Sequence, residues 1–237
     1  MVNSRPSGTA SPDAPVAIVT GAAQDVGRDI ALFLAGRGYD LVVQHNASSV
    51  EAQQVVRELS QLGRRGVAVA ADLREPQAAA SAVFEAAQSL GSVSVVINNA
   101  VVCQDRALAW IDSYHCRTHL SVNLLAPVFL AQQLVRHLPA DRSGQVINLL
   151  DSRAEHPGPT HLMFTASRAA LVSVTRSLAL QLAPTIRVNG IVPGRAPIPA
   201  SPKRVRSLDR LCRTIGFLLD TESITGDILH VSDFQGR

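Results

Sequence analysis

Cysteine is scarce in this chain. Cys103, Cys116 and Cys212 are an odd number, and no two form a CxxC pair. That excludes a disulfide-stapled scaffold and points to reduced thiols in a cytoplasmic protein. Aromatic residues make up 4%, with one Trp and two Tyr, so few side chains can supply a phenol. No apolar run reaches the roughly 18 residues that span a bilayer, which excludes a membrane partner. Strong charge is also missing. A net charge of +3 with a pI near 9.1 is a mild excess of base, and no nucleic-acid partner is expected. The densest basic group, Lys203 to Arg213, alternates with apolar residues as a solvated helix face does. His115, Cys116 and His119 lie close together, but no carboxylate or second cysteine cluster completes a metal site, so no metal is expected. The opening "MVNSRPSGTASPDAP" lacks the apolar core of a signal peptide; residues 1–14 read as a disordered tail and 15–237 as the folded domain.

What is present is a hydrophobic fraction of 46% in 237 residues, arranged as short β-rich runs alternating with helical patterns. "VAIVT", "DLVVQH", "GVAVAA", "VSVVIN", "QVINLL", "IRVNGIV" and "DILHVS" are seven candidate strands. Ser48 or Ser49 can cap the helix after the second. Continuous apolar strands joined by helix-length crossovers predict an α/β fold, a doubly wound parallel seven-stranded sheet covered by helices on both faces. Ligands of such sheets bind beyond the carboxyl ends of the strands, and the unusual residues cluster there.

"TGAAQDVGR" follows the first strand and opens a helix. Gly21 suits a tight turn, Gly27 a close helix–sheet approach, and the helix N-terminus offers N–H groups to an anion. Together with "NNA" (98–100), Asn123 and "VNGIVPG" (188–194), this motif resembles the short-chain dehydrogenase/reductase family from about Val16 to Val231. Within it, "TGAAxxxGR", "INxxD" and "TRSLALQLAPTIRVNG" are most similar to the pteridine reductase group. The resemblance implies a Rossmann-type core, a nicotinamide cofactor, and assembly as a homodimer or homotetramer. Carried over by position, cofactor contacts fall on Gly21, Gln24, Asp25, Val26 and Gly27; on His45, Asn46, Ala47 and Ser48; on Asp72 and Leu73; on Asn99, Ala100 and Val101; and on Arg168, Pro193 and Gly194. The motif's middle glycine is Asp25, a carboxylate near the expected phosphates unless it caps the helix. The second strand ends without the acidic residue that holds a ribose 2′-OH, which favours NADP. The arginine expected beside a 2′-phosphate is Ala47, leaving His45, Asn46, Ser48 and Arg28 as donors.

The family's Tyr, Lys, Ser and Asn correspond here to Phe164, Arg168, Asp151 and Asn123. Phenylalanine has no proton to give to a developing alkoxide, a role worth roughly 10²–10⁴-fold. Arg168 keeps a positive charge for the nicotinamide ribose. Pteridine reductases also carry Asp at position 151, where it helps protonate a ring nitrogen; burial by substrate would raise its pKa. The bland alternative makes Asp151 a cap for the turn that follows. His161, three residues before Phe164, is a candidate substitute acid or base. Three functions follow: an NADPH-dependent reductase of a small C=N or iminium substrate with Asp151 as proton donor; a non-redox cyclase or isomerase using Asp151 and His161; or a catalytically silent subunit.

Overall fold

Strand residues one apart point to opposite faces of a sheet, so apolar residues at every position of a strand require cover on both sides. β1 (Val16–Val19) is wholly buried, and its side chains divide accordingly. Val16 and Ile18 enter a core with Val83, Leu130, Leu134 and Val146. Ala17 and Val19 enter a second with Ile30, Leu34, Ile147, Ile191 and Ile215. The computed structural model describes residues 14–193 and 202–231, with Ala14 already buried. Most of the expected tail, Gly194 and the last six residues lie outside the described residues.

The sheet is parallel throughout, ordered β3-β2-β1-β4-β5-β6-β7. The other strands are β2 (Asp40–His45), β3 (Gly66–Ala70), β4 (Val93–Asn98), β5 (Gly144–Leu149), β6 (Ile186–Pro193) and β7 (Ile228–Val231). The first core lies beneath α3 (Pro76–Ala87) and α5 (Ala126–His137), the second beneath α1 (Asp25–Gly36), α2 (Ser49–Gln61) and α7 (Pro202–Asp220). α4 (Ser113–Leu120) runs into α5 through a π-helical turn, Ser121–Leu125, and α6 (Leu162–Leu182) follows β5. β3 is only half-buried, as an edge strand is. Strand order reverses between β1 and β4, where a crevice opens at the carboxyl edge. Among the described residues no helix is long and apolar enough to cross a membrane.

Candidate functional site

The β1–α1 turn is built by close approach. Gly21 has φ +62°, a left-handed conformation that suits glycine. A Cβ on Gly27 would lie 2.1 Å from the Gly21 carbonyl oxygen and 2.6 Å from Asn99 Nδ2. Asn99 braces this turn, donating to the carbonyls of Thr20 at 2.8 Å and Gly21 at 3.2 Å. Thr20 Oγ1 accepts from the backbone N–H groups of Asn99 and Ala100. Asp25 does not take the capping position. Gln24 precedes the helix without a side-chain cap bond, and Asp25 begins it, exposed and at φ +49°. An aspartate here adopts the left-handed backbone that a glycine takes without cost. Val26 packs against the core beneath α1.

A cavity of about 320 Å³ lies beside this turn, lined by Gly21, Asn46, Asp72, Leu73, Ala100 and Val101 of the expected cofactor residues. Gln44, Arg74, Tyr114 and Thr118 line it as well, and the sequence placed none of the four at the cofactor edge. A glutamine inside the apolar run "DLVVQH" was the available signal. Its Oε1 accepts from the Gly21 N–H at 2.8 Å and its Nε2 donates to the Ala71 carbonyl at 2.7 Å, tying the glycine turn to β2. Tyr114 is 56% exposed and its hydroxyl accepts from Arg74 at 2.9 Å. The Arg74 guanidinium also grips Asp72 and holds that carboxyl below its usual range.

At the end of β2, His45 is buried with Nδ1 unpaired, while Asn46 and Ala47 are exposed and Ser48 stands at the N-cap of α2 without a cap bond. Arg28 is not an unengaged phosphate donor: Glu58 holds it at 2.7 Å and Asp29 at 3.3 Å. Pro193 ends β6.

The second half of the site is organised around α6. Asn123, fully buried in the π-helical turn, receives the Val102 N–H at 2.8 Å and donates to the Val102 carbonyl at 2.8 Å and to Ser167 Oγ at 3.0 Å. Its amide thereby fixes the chain after β4. Beneath it Asn98 donates to Asn148, and Asn148 to Thr175, a buried chain across β4, β5 and α6.

Phe164 and Arg168 are both buried, with the guanidinium 5.7 Å from the ring centre. Arg168 Nε has no hydrogen-bond partner. Burial lowers its pKa to about 10, with the Asp151 carboxylate opposing the shift. Asp151 sits opposite, after β5, and meets a residue that sequence reasoning did not single out. Arg153 Nε donates to Asp151 Oδ1 at 2.9 Å and Nη2 to Oδ2 at 3.0 Å. The Arg153 backbone N–H adds a third bond at 2.9 Å, so Asp151 is also a turn cap. The Arg153 guanidinium lies over Phe164, 4.3 Å from the ring centre. Burial alone would raise the Asp151 carboxyl; the Arg153 hydrogen bonds, with the charges of Arg153 and Arg168, outweigh it and leave the pKa below its ordinary value. The carboxyl therefore favours its ionised form, because the arginine two residues on outweighs burial by the protein itself.

His161 stands in the left-handed conformation ahead of α6, at φ +60°. Its N–H donates to Asp105 Oδ1 at 2.7 Å, and Nδ1 lies 3.0 Å from Thr160 Oγ1. Among the described residues no hydrogen bond joins it to Asp151.

The description of short chain dehydrogenases as a family matches residues 15–204. The chain is 34% identical over 182 residues to the hydroxynaphthalene reductase-like protein Arp2 of Metarhizium anisopliae, covering 76% of this chain and 67% of that protein. A crystal structure of FolM alternative dihydrofolate reductase 1 from Brucella canis, complexed with NADP, superposes with a TM-score of 0.84 at 30% identity, covering 93% of each chain. A short chain dehydrogenase from Burkholderia cenocepacia in complex with NADP gives a TM-score of 0.82 at 27% identity, covering 95% of this chain and 98% of that one.

Proposed function

Because this chain belongs to the short-chain dehydrogenase family, we propose that it is an NADPH-dependent reductase of a small C=N or iminium substrate. The ionised Asp151 carboxylate beside a proton-less Phe164 carries this reading. Two unit charges 4 Å apart interact by about 4 kcal/mol at an effective dielectric constant of 20. Taken alone, the Asp151 carboxylate favours an iminium cation by that order and disfavours a developing alkoxide; the Arg153 and Arg168 guanidiniums act in the opposite sense. The preference between the two substrates therefore rests on the missing phenol. Ketone reduction needs the acid that Phe164 is not; iminium reduction does not.

Two buried, unpaired nitrogens support the dinucleotide, Arg168 Nε and His45 Nδ1, since buried polar atoms ordinarily have partners. Arg168 would hold the nicotinamide ribose, the Gly21–Gly27 turn and start of α1 the diphosphate, Asp72 and Leu73 the adenine, and His45, Asn46 and Ser48 the 2′-phosphate. When bound, NADPH supplies the hydride. The substrate carbon gains a C–H bond, the C=N π pair becomes the nitrogen lone pair, and the N–H proton stays on nitrogen facing Asp151. An imine arriving unprotonated takes its proton through Asp151, which requires Arg153 to loosen its grip. The exposed apolar residues Val135, Leu180 and Phe217 on three helices support a homodimer or homotetramer.

The test pairs binding with turnover. NADPH fluorescence should saturate, and cyclic imines should be reduced in strong preference to the ketones of matching shape. Asp151→Asn should cut imine turnover roughly 10²-fold or more, within the range of proton-transfer and charge effects, with dinucleotide affinity nearly intact. Equal rates on ketones and imines, or no NADPH binding, would overturn the reading.

A further inference from the structure

Arg153 has a free side. A guanidinium carries five N–H donors and can bind a carboxylate along either of two edges. The Nε–Nη2 edge is filled by Asp151, and among the described residues Nη1 reaches only the Cys103 thiol at 3.8 Å. The group is held flat against Phe164, yet its side chain is 37% exposed. One donor edge of a partly exposed cation, held by Asp151 and Phe164, is thus open to a ligand.

The charges beside that edge narrow what can bind there. Arg153 and Arg168 are cations and Asp151 is the carboxylate between them in its influence on both. An iminium with no other charge would meet one attractive and two repulsive groups. A doubly negative ligand would oppose Asp151. A molecule with a cationic nitrogen and a carboxylate a few bonds away matches both members of the Asp151–Arg153 pair and leaves the net charge of the cluster unchanged. We propose that Arg153 is the specificity-determining residue of this site, and that the substrate is a zwitterionic imino acid whose iminium N–H faces Asp151 while its carboxylate docks on the open Nη1–Nη2 edge of Arg153. This rests on the reductase reading for the C=N group; the carboxylate rests on Arg153 alone.

Three saturated probes separate the parts by calorimetry, with and without NADP⁺: pipecolate carries both charges, piperidine only the cation, and cyclohexanecarboxylate only the anion. Pipecolate should bind at least about tenfold more tightly than either half. Arg153→Gln and Arg153→Met should weaken it by about 10- to 100-fold, the size of a charge-assisted bidentate pair, while piperidine, relieved of one repulsive cation, should bind no more weakly than to wild type. The wild-type comparison stands even where a variant fails to fold. Equal binding of pipecolate and piperidine, or no pipecolate binding at millimolar concentration, overturns the proposal. Turnover distinguishes the two failures. If 1-piperideine is reduced as well as 1-piperideine-2-carboxylate, the reductase reading stands and the carboxylate inference falls. If NADPH does not bind, the reductase reading falls, and pipecolate binding without dinucleotide still decides the role of Arg153.

Discussion

Replacing Arg168 by methionine should stabilise the ligand-free protein while removing its affinity for the dinucleotide. Arg168 is 4% exposed, its Nε is unpaired, and burial brings its pKa down to about 10. A guanidinium is charged in both folded and unfolded chains at neutral pH. A folded-state pKa below the unfolded one means the folded state disfavours that charge, a cost present at every pH below about 10. At 1.36 kcal/mol per pH unit the cost is about 3 kcal/mol. Methionine nearly fills the same space without a charge, and loses the contact with Phe164, worth about 0.5–1 kcal/mol. The net gain is about 2 kcal/mol, or roughly 4–8 °C in Tm for a chain of this size. Thermal and urea unfolding, with and without NADPH, measure it. Wild type should gain stability from NADPH and the variant should not. An Arg168→Met protein less stable than wild type without ligand would refute the reasoning, because the buried cation would then have a partner that the geometry does not show.

Gly27→Ala places a methyl group 2.1 Å from a backbone oxygen that cannot rotate away. It should cost about 3 kcal/mol or more by forcing α1 from β1 and should abolish dinucleotide binding; an unfolding midpoint near wild type would show that the turn is looser than described. Burial, with smaller contributions from Asp29 and Asp209, pushes the Cys212 thiol up to about 12. The folded state holds this proton while the unfolded state loses it, so stability should fall as pH rises from the unfolded thiol's value near 8.5 toward 12, and Cys212→Val should flatten that slope. At neutral pH a thiol reagent should label exposed Cys103 and reach Cys212 only on unfolding; rapid labelling of native Cys212 would contradict the burial.

The sequence by itself determined the sheet, its seven strands and the edge where the glycine turn lies. Those depend on local period and on glycines whose positions follow from close approach: Gly21 and Gly27 could be placed from their spacing because a side chain there is excluded at short range. It also determined that Phe164 cannot act as an acid, since that is a property of the residue type. Tertiary structure decided the electrostatics. Asp151 reads from sequence as a carboxyl whose pKa a bound substrate would raise; the fold sets it below its ordinary value to begin with, because the Arg153 side chain folds back along the turn and occupies both its oxygens. Arg153 was illegible beforehand because nothing in a scattered arginine's spacing says which carboxylate it will face. Gln44, Arg74 and Tyr114 come to one cavity from β2, the loop after β3, and α4, an adjacency that only chain packing creates. Asn123 could be located by motif, but its attachment to the Val102 backbone depends on the π-helical turn that aims it. Residue type and short-range sterics are written along the chain; the sign and pairing of charges depend on which distant groups the fold brings within a few ångströms.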